Sequence, residues 1–135
     1  MSLNAYEMFE TDKSVEASGV ELDYGEFQIK IARSGGSNQK YNKIIEALVK
    51  PHQRAVQTET ISRETVDKLL IEAHAKAVVI SWTGVKDREG NLIDFNVENC
   101  IKLFTDLPEL FADVKEQAGK TGLFLKQINE EIAGN

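Results

Sequence analysis

One cysteine, Cys100, rules out an internal disulfide and makes a reducing compartment the expected setting. Two histidines, His52 and His74, are too few and too scattered for the usual spacings of a zinc or catalytic-metal site, and neither HExxH nor CxxC occurs. Aromatic residues make up only 7%, so leucine, isoleucine, valine and alanine must fill most of the core. No apolar run approaches the roughly 18 residues of a membrane span. The start, Met1 to Glu7, has neither a basic cluster nor an apolar stretch, so no signal peptide is expected. Against these absences stand 135 residues, 41% hydrophobic and 28% charged, which suit one folded domain over 1–135.

The formal net charge of −6 disfavours a nucleic-acid partner, because phosphate binding draws on lysine and arginine. The charge is uneven. Residues 1–30 carry −5 and residues 91–135 carry −4, whereas residues 31–60 carry +3. Most of these charges read as solvated faces, but acidic ends around a basic middle also favour self-association or a charged partner. Lys40, Lys43, Lys50, Arg54 and Arg63 form the basic stretch. Only Tyr41 interleaves them, so the stacked aromatics of a single-strand binder are missing.

Period-two patterning marks Val20-Glu21-Leu22-Asp23 and Phe27-Gln28-Ile29-Lys30-Ile31 as strands around a Gly25-Glu26 turn. Val20, Leu22, Phe27, Ile29 and Ile31 would share the buried face. After Ser34-Gly35-Gly36-Ser37 the period becomes helical. Asn38 caps a helix carrying Tyr41, Ile44, Ile45 and Leu48, and Pro51 interrupts it. Ser62 caps the next helix, whose apolar stripe of Val66, Leu69, Leu70 and Ala73 runs into Ala75 to Trp82. The Val78-Val79-Ile80 run is compatible with a buried strand, but continuity from Ser62 favours helix through it. Asp87-Arg88-Glu89-Gly90-Asn91 is turn chemistry, and Leu92 to Phe95 is a short strand or extended link. Asn96 caps a helix, and Leu107-Pro108 opens the last one. Leu123, Phe124, Leu125, Ile128 and Ile132 give an amphipathic tail. The expectation is an α+β fold, mainly α-helical: residues 1–18 as an arm or edge strand, an N-terminal β-hairpin over 19–33, then about four helices in a compact bundle over 38–132.

No residue set carries chemistry. Cys100 lies on the apolar side of its helix, where a thiol behaves as a small hydrophobe. Ser34 to Ser37 lacks the lysine and spacing of a phosphate loop. Glu130-Glu131 and Asp87/Glu89 read as solvated acids on a tail and a turn. The expectation is therefore a binding protein rather than an enzyme, with no metal or cofactor. Its candidate partner-binding residues are Trp82, Phe104, Leu107, Phe111, Phe124, Ile128 and Ile132, apolar side chains near chain breaks that suit a client helix. Phe111 and Phe124 are the first pair to substitute, on the expectation that the fold survives.

The chain resembles the tail assembly chaperones of long, non-contractile-tailed bacteriophages. The likeness covers most of the length, through Tyr6 to Lys13, Gly19 to Gly25 and Phe27 to Arg33. It continues through Trp82-Thr83-Gly84-Val85, Asp87 to Asn91, Phe95 to Asn99 and Leu107-Pro108-Glu109-Leu110-Phe111. The resemblance implies a protein of the host bacterial cytoplasm, absent from the mature virion. Its partner would be the tape measure protein, a long helical chain kept soluble until the tail tube grows around it. It also implies that a longer frameshifted form can recruit the tail tube protein; a chain ending at Asn135 would be the short form. The family supplies no catalytic residues. The alternatives are a structural tail completion or morphogenesis protein and, from another class, a small hydrolase using Cys100, His52 or His74.

Overall fold

The computed structural model describes residues 4–124. The hairpin is present, with β1 (Val20–Asp23) antiparallel to β2 (Gln28–Ile31). Val20 faces Ile31 and Leu22 faces Ile29, so all four share the core face, while Glu21, Asp23 and Lys30 point to solvent. That alternation is the one the sequence displays. The turn closes through Tyr24 N–H donating to the Phe27 carbonyl at 2.9 Å, and the two rings stack with centroids 4.9 Å apart.

The sheet has a third strand, which corrects the reading of a helix running to Trp82. Helix α5 (Arg63–Ala77) stops at Val78, and β3 (Val79–Thr83) pairs antiparallel with β2, in the order β1-β2-β3. The reason lies in the register. Lys30 opposes Ser81 and Ile31 opposes Val79, so Ile80 is the extra residue of a bulge. The bulge resets the phase and turns both Val79 and Trp82 into the core, three positions apart, while Ile80 and Ser81 are exposed. That spacing imitates a helix stripe. β-branched Val78, Val79 and Ile80 nevertheless prefer extended backbone, and pairing a third strand relieves the marginal two-stranded hairpin.

Residues 4–18 also depart from the expected arm or edge strand. They form two short helices, α1 (Ala5–Phe9) and α2 (Lys13–Ser18), capped by Asn4 and Asp12. Glu16 of α2 is buried and takes hydrogen bonds from the Ser37 N–H at 2.8 Å, the Ser37 hydroxyl at 2.6 Å and Arg33 at 3.0 Å. Burial alone would raise its pKa. The bonds from Ser37, Thr11 and Arg33 outweigh it and hold the carboxyl at about 2. This carboxylate ties α2 to the Ser34–Ser37 loop.

Helix α3 (Gln39–Val49) begins at Asn38 as expected, and the Asn38 amide also donates to the Arg33 and Ala77 carbonyls at 2.8 and 2.9 Å. Pro51 lies within a 3-10 turn at Lys50–His52, which leads into the short α4 (Gln53–Gln57). Ser62 and Asn96 cap α5 and α6 (Val97–Asp106), and Leu107 separates α6 from α7 (Pro108–Gly119). A 3-10 turn over Thr121–Phe124 follows α7. The core lies between one face of the sheet and α5, α6 and α7. It joins Ile29, Ile31, Val79 and Trp82 to Ile71, Ala75, Cys100, Phe104, Phe111 and Val114. Tyr24 fastens the hairpin to α7 through its hydroxyl, which donates to Asp113 at 2.6 Å.

Candidate functional site

The apolar residues singled out in the sequence do not share one surface. Trp82, Phe104, Phe111 and Phe124 are buried, with Phe104 and Phe124 fully so. Replacing Phe111 and Phe124 together would therefore open voids in the core before it touched any partner surface. Ile128 and Ile132 lie outside the described residues. Among the described candidates, Leu107 alone is exposed, at 46%.

Leu107 lines a cavity of about 430 Å³ between the 86–93 loop and α6. Helix α6 lines it with Asn99, Lys102, Leu103 and Asp106, and its C-cap Leu107 continues the same face. The loop supplies Lys86, Asp87, Arg88, Glu89 and Ile93.

The loop is held in place by bonds that the sequence alone does not reveal. The Trp82 indole N–H donates to the Ile93 carbonyl at 2.9 Å, and its ring meets Phe95 edge-on at 5.2 Å. The Asn99 amide donates to the Asp94 carbonyl at 2.9 Å. Within the turn, one Asp87 carboxylate oxygen accepts the Glu89 and Asn91 N–H groups at 3.0 and 2.9 Å. Buried Trp82 thus supports the loop instead of lining the groove.

Asp87 is committed to its own turn, and Asp106 faces Arg88 at 4.0 Å. The site therefore joins apolar Ile93, Leu103 and Leu107 to a balanced set of charges, in which Lys86, Lys102 and Glu89 have no ion pair among the described residues. Leu92 (70% exposed) and Val97 (36%) extend the apolar surface alongside. Sequence reasoning passed over Lys86, Ile93, Lys102 and Leu103 as a group. The α6 half was legible from its helical stride, but the loop half depends on the Trp82 and Asn99 contacts.

The remaining candidates lie elsewhere. Burial pushes the Cys100 thiol up to about 12, so it stays protonated at neutral pH and is a poor nucleophile. His74 is buried between Tyr41 and Phe111, whose rings lie 5.4 and 5.2 Å away. Among the described residues, no three His, Cys, Asp or Glu side chains cluster to hold a metal ion. No helix among them is long and apolar enough to cross a membrane. Lys40, Lys43, Lys50, Arg54 and Arg63 are all exposed, along α3, α4 and the start of α5.

Residues 36–135 match the family model described as YdaY prophage protein. No curated protein and no solved structure matches the chain.

Proposed function

Since the chain belongs to the YdaY prophage protein family, we propose that it serves phage morphogenesis as a tail assembly chaperone that binds the tape measure protein and keeps it soluble. The observation that carries this reading is the groove between the 86–93 loop and α6, lined by apolar Ile93, Leu103 and Leu107 and by charges of both signs. A tape measure chain is long and helical, and its apolar stripe aggregates when uncovered. A volume near 430 Å³ lies at the lower end of ligand pockets, roughly 300–1,000 Å³. It suits a few large side chains projecting from a client helix rather than a whole ligand. Lys86 and Lys102 would meet acids flanking those side chains, setting register more than affinity. The likeness to tail assembly chaperones runs through Trp82–Val85, Asp87–Asn91 and Phe95–Asn99, the segments that build the loop and fasten it to α6.

On this reading the chain works in the host cytoplasm and is left out of the virion, and any recruitment of tube protein belongs to a longer frameshifted form. The test is co-expression with the tape measure protein of the same prophage. The wild-type chain should keep the client in the supernatant and co-purify with it. Leu107→Asp combined with Lys102→Glu should lose both while keeping the wild-type melting temperature, because both side chains are exposed. Undiminished client recovery by the folded double variant would sink the groove. Finding the chain in purified virions would favour a structural tail protein instead.

A further inference from the structure

Helix α3, the 3-10 turn and α4 hold no buried residue between them. By contrast α5 buries Ile71, Ala73, His74, Ala75 and Ala77, and α7 buries Phe111, Val114 and Ala118. Among the described residues, no ion pair and no side-chain hydrogen bond joins residues 39–57 to another helix or strand. What holds α3 is packing on α5, where the Tyr41 ring meets His74 edge-on at 5.4 Å. Its other large apolar side chains, Ile44, Ile45, Leu48 and Val49, are only half-buried. The stretch is bounded at both ends. Asn38 is fixed by its amide, which donates to the Arg33 and Ala77 carbonyls, and Glu59 in the turn after α4 has a left-handed φ of 55°. A segment with so few buried contacts belongs to the low end of local stability.

His74 lies beneath this stretch. Three elements present groups to it: α3 the Tyr41 phenol ring, α7 Phe111 and the Lys115 cation, and α5 itself the Leu70 carbonyl that takes the Nδ1 bond. The buried Nε2 has no partner. A proton placed there finds no acceptor in the closed fold and is repelled by Lys115, so the charged ring needs water. Water reaches it when either α3 or α7 moves. Helix α7 is fixed by its buried side chains and by the Tyr24 hydroxyl bond to Asp113 at 2.6 Å, and α3 has neither kind of tether. We propose that residues 39–57 swing off α5 as a unit while the sheet, α5, α6 and α7 stay folded, and that protonation of His74 favours the open form. The proposal does not depend on what the groove binds.

The test is amide exchange of the full chain in low urea at pH 7 and pH 5, read as protection factors so that the intrinsic pH dependence of exchange drops out. Amides of α3 and α4 should share one opening, with a smaller urea dependence than those of β2 and α6, which await global unfolding. The open form takes its proton below the ordinary imidazole value of 6.5 and the closed form only near 4, so opening is favoured as the pH falls between them. Protection in α3 should therefore fall about twentyfold from pH 7 to pH 5. His74→Leu, which takes up no proton, should keep the separate opening and lose the fall; wild type alone decides the matter if that variant does not fold. Protection in α3 equal to that in β2 and α6, with the same urea dependence, would overturn the proposal. So would wild-type protection in α3 that stays constant from pH 7 to pH 5, or a fall that survives in His74→Leu.

Discussion

His74 is fully enclosed, and its imidazole is held in one protonation state. Its Nδ1–H donates to the Leu70 carbonyl at 2.7 Å, and its buried Nε2 has no hydrogen-bond partner. Burial drives the pKa from 6.5 down to about 4, with the Leu70 bond opposing and the Lys115 charge assisting. The folded protein therefore keeps His74 neutral, while the unfolded chain takes up a proton once the pH falls below 6.5. Stability is lost progressively as the pH drops from there toward 4. A single group with these values costs about 2 kcal/mol between pH 7 and 5, and about 3 kcal/mol by pH 4. His74→Leu fills similar space between Tyr41 and Phe111 and removes the unpaired nitrogen. It should match wild type or exceed it by about 1 kcal/mol at pH 7, and its stability should be nearly flat between pH 7 and 5. Urea unfolding at both pH values, followed by the fluorescence of the single, buried Trp82, measures the difference directly. Parallel wild-type and variant stabilities over that interval would refute the claim that His74 is buried neutral.

Other expectations follow from particular contacts. Gly19 has φ 96° and ψ 162°, a region open essentially to glycine, and a Cβ there would meet Ile80 Cδ1 at 2.6 Å and the Ile31 carbonyl at 2.9 Å. Gly19→Ala should cost about 2–3 kcal/mol, whereas Gly90→Ala, with open space around it, should cost about 1 kcal/mol by the same denaturation assay. Glu16→Gln should destabilise by about 3 kcal/mol at pH 7. Wild type should lose that advantage as the pH falls from 4.5 toward 2, the window in which Glu16 is protonated in the unfolded chain but not in the fold, while the variant should show no such loss. Trp82→Phe removes the bond to the Ile93 carbonyl and should cost about 1–2 kcal/mol. Amide exchange should speed up along the 85–95 loop more than in α5.

Local signals marked most of the elements. Asn38, Ser62 and Asn96 each accept the N–H three residues on, and the hairpin strands alternate as their composition demands. The same cap chemistry stood at Asn4 and Asp12, but the segments after them are too short to show a period. β3 was hidden for a geometrical reason: the Ile80 bulge places Val79 and Trp82 at helical spacing within an apolar run continuous with α5. The groove was half legible. The stride from Asn99 to Leu107 is written in α6, but the opposing wall is positioned by the Trp82 bond to Ile93 and the Asn99 bond to Asp94. The Trp82 bond also explains why that bulky side chain is buried behind the loop while the smaller Leu107 is exposed; Phe104 packs in the core against Phe111.

The central claim is that the groove receives a client. Amide hydrogen exchange of the chain, alone and with the tape measure protein of its own prophage, tests it most directly. The account predicts new protection concentrated in residues 86–93 and 99–107, with α3 and the β1 edge unchanged. Protection confined to α3 and α4, or none at saturating client, would contradict it.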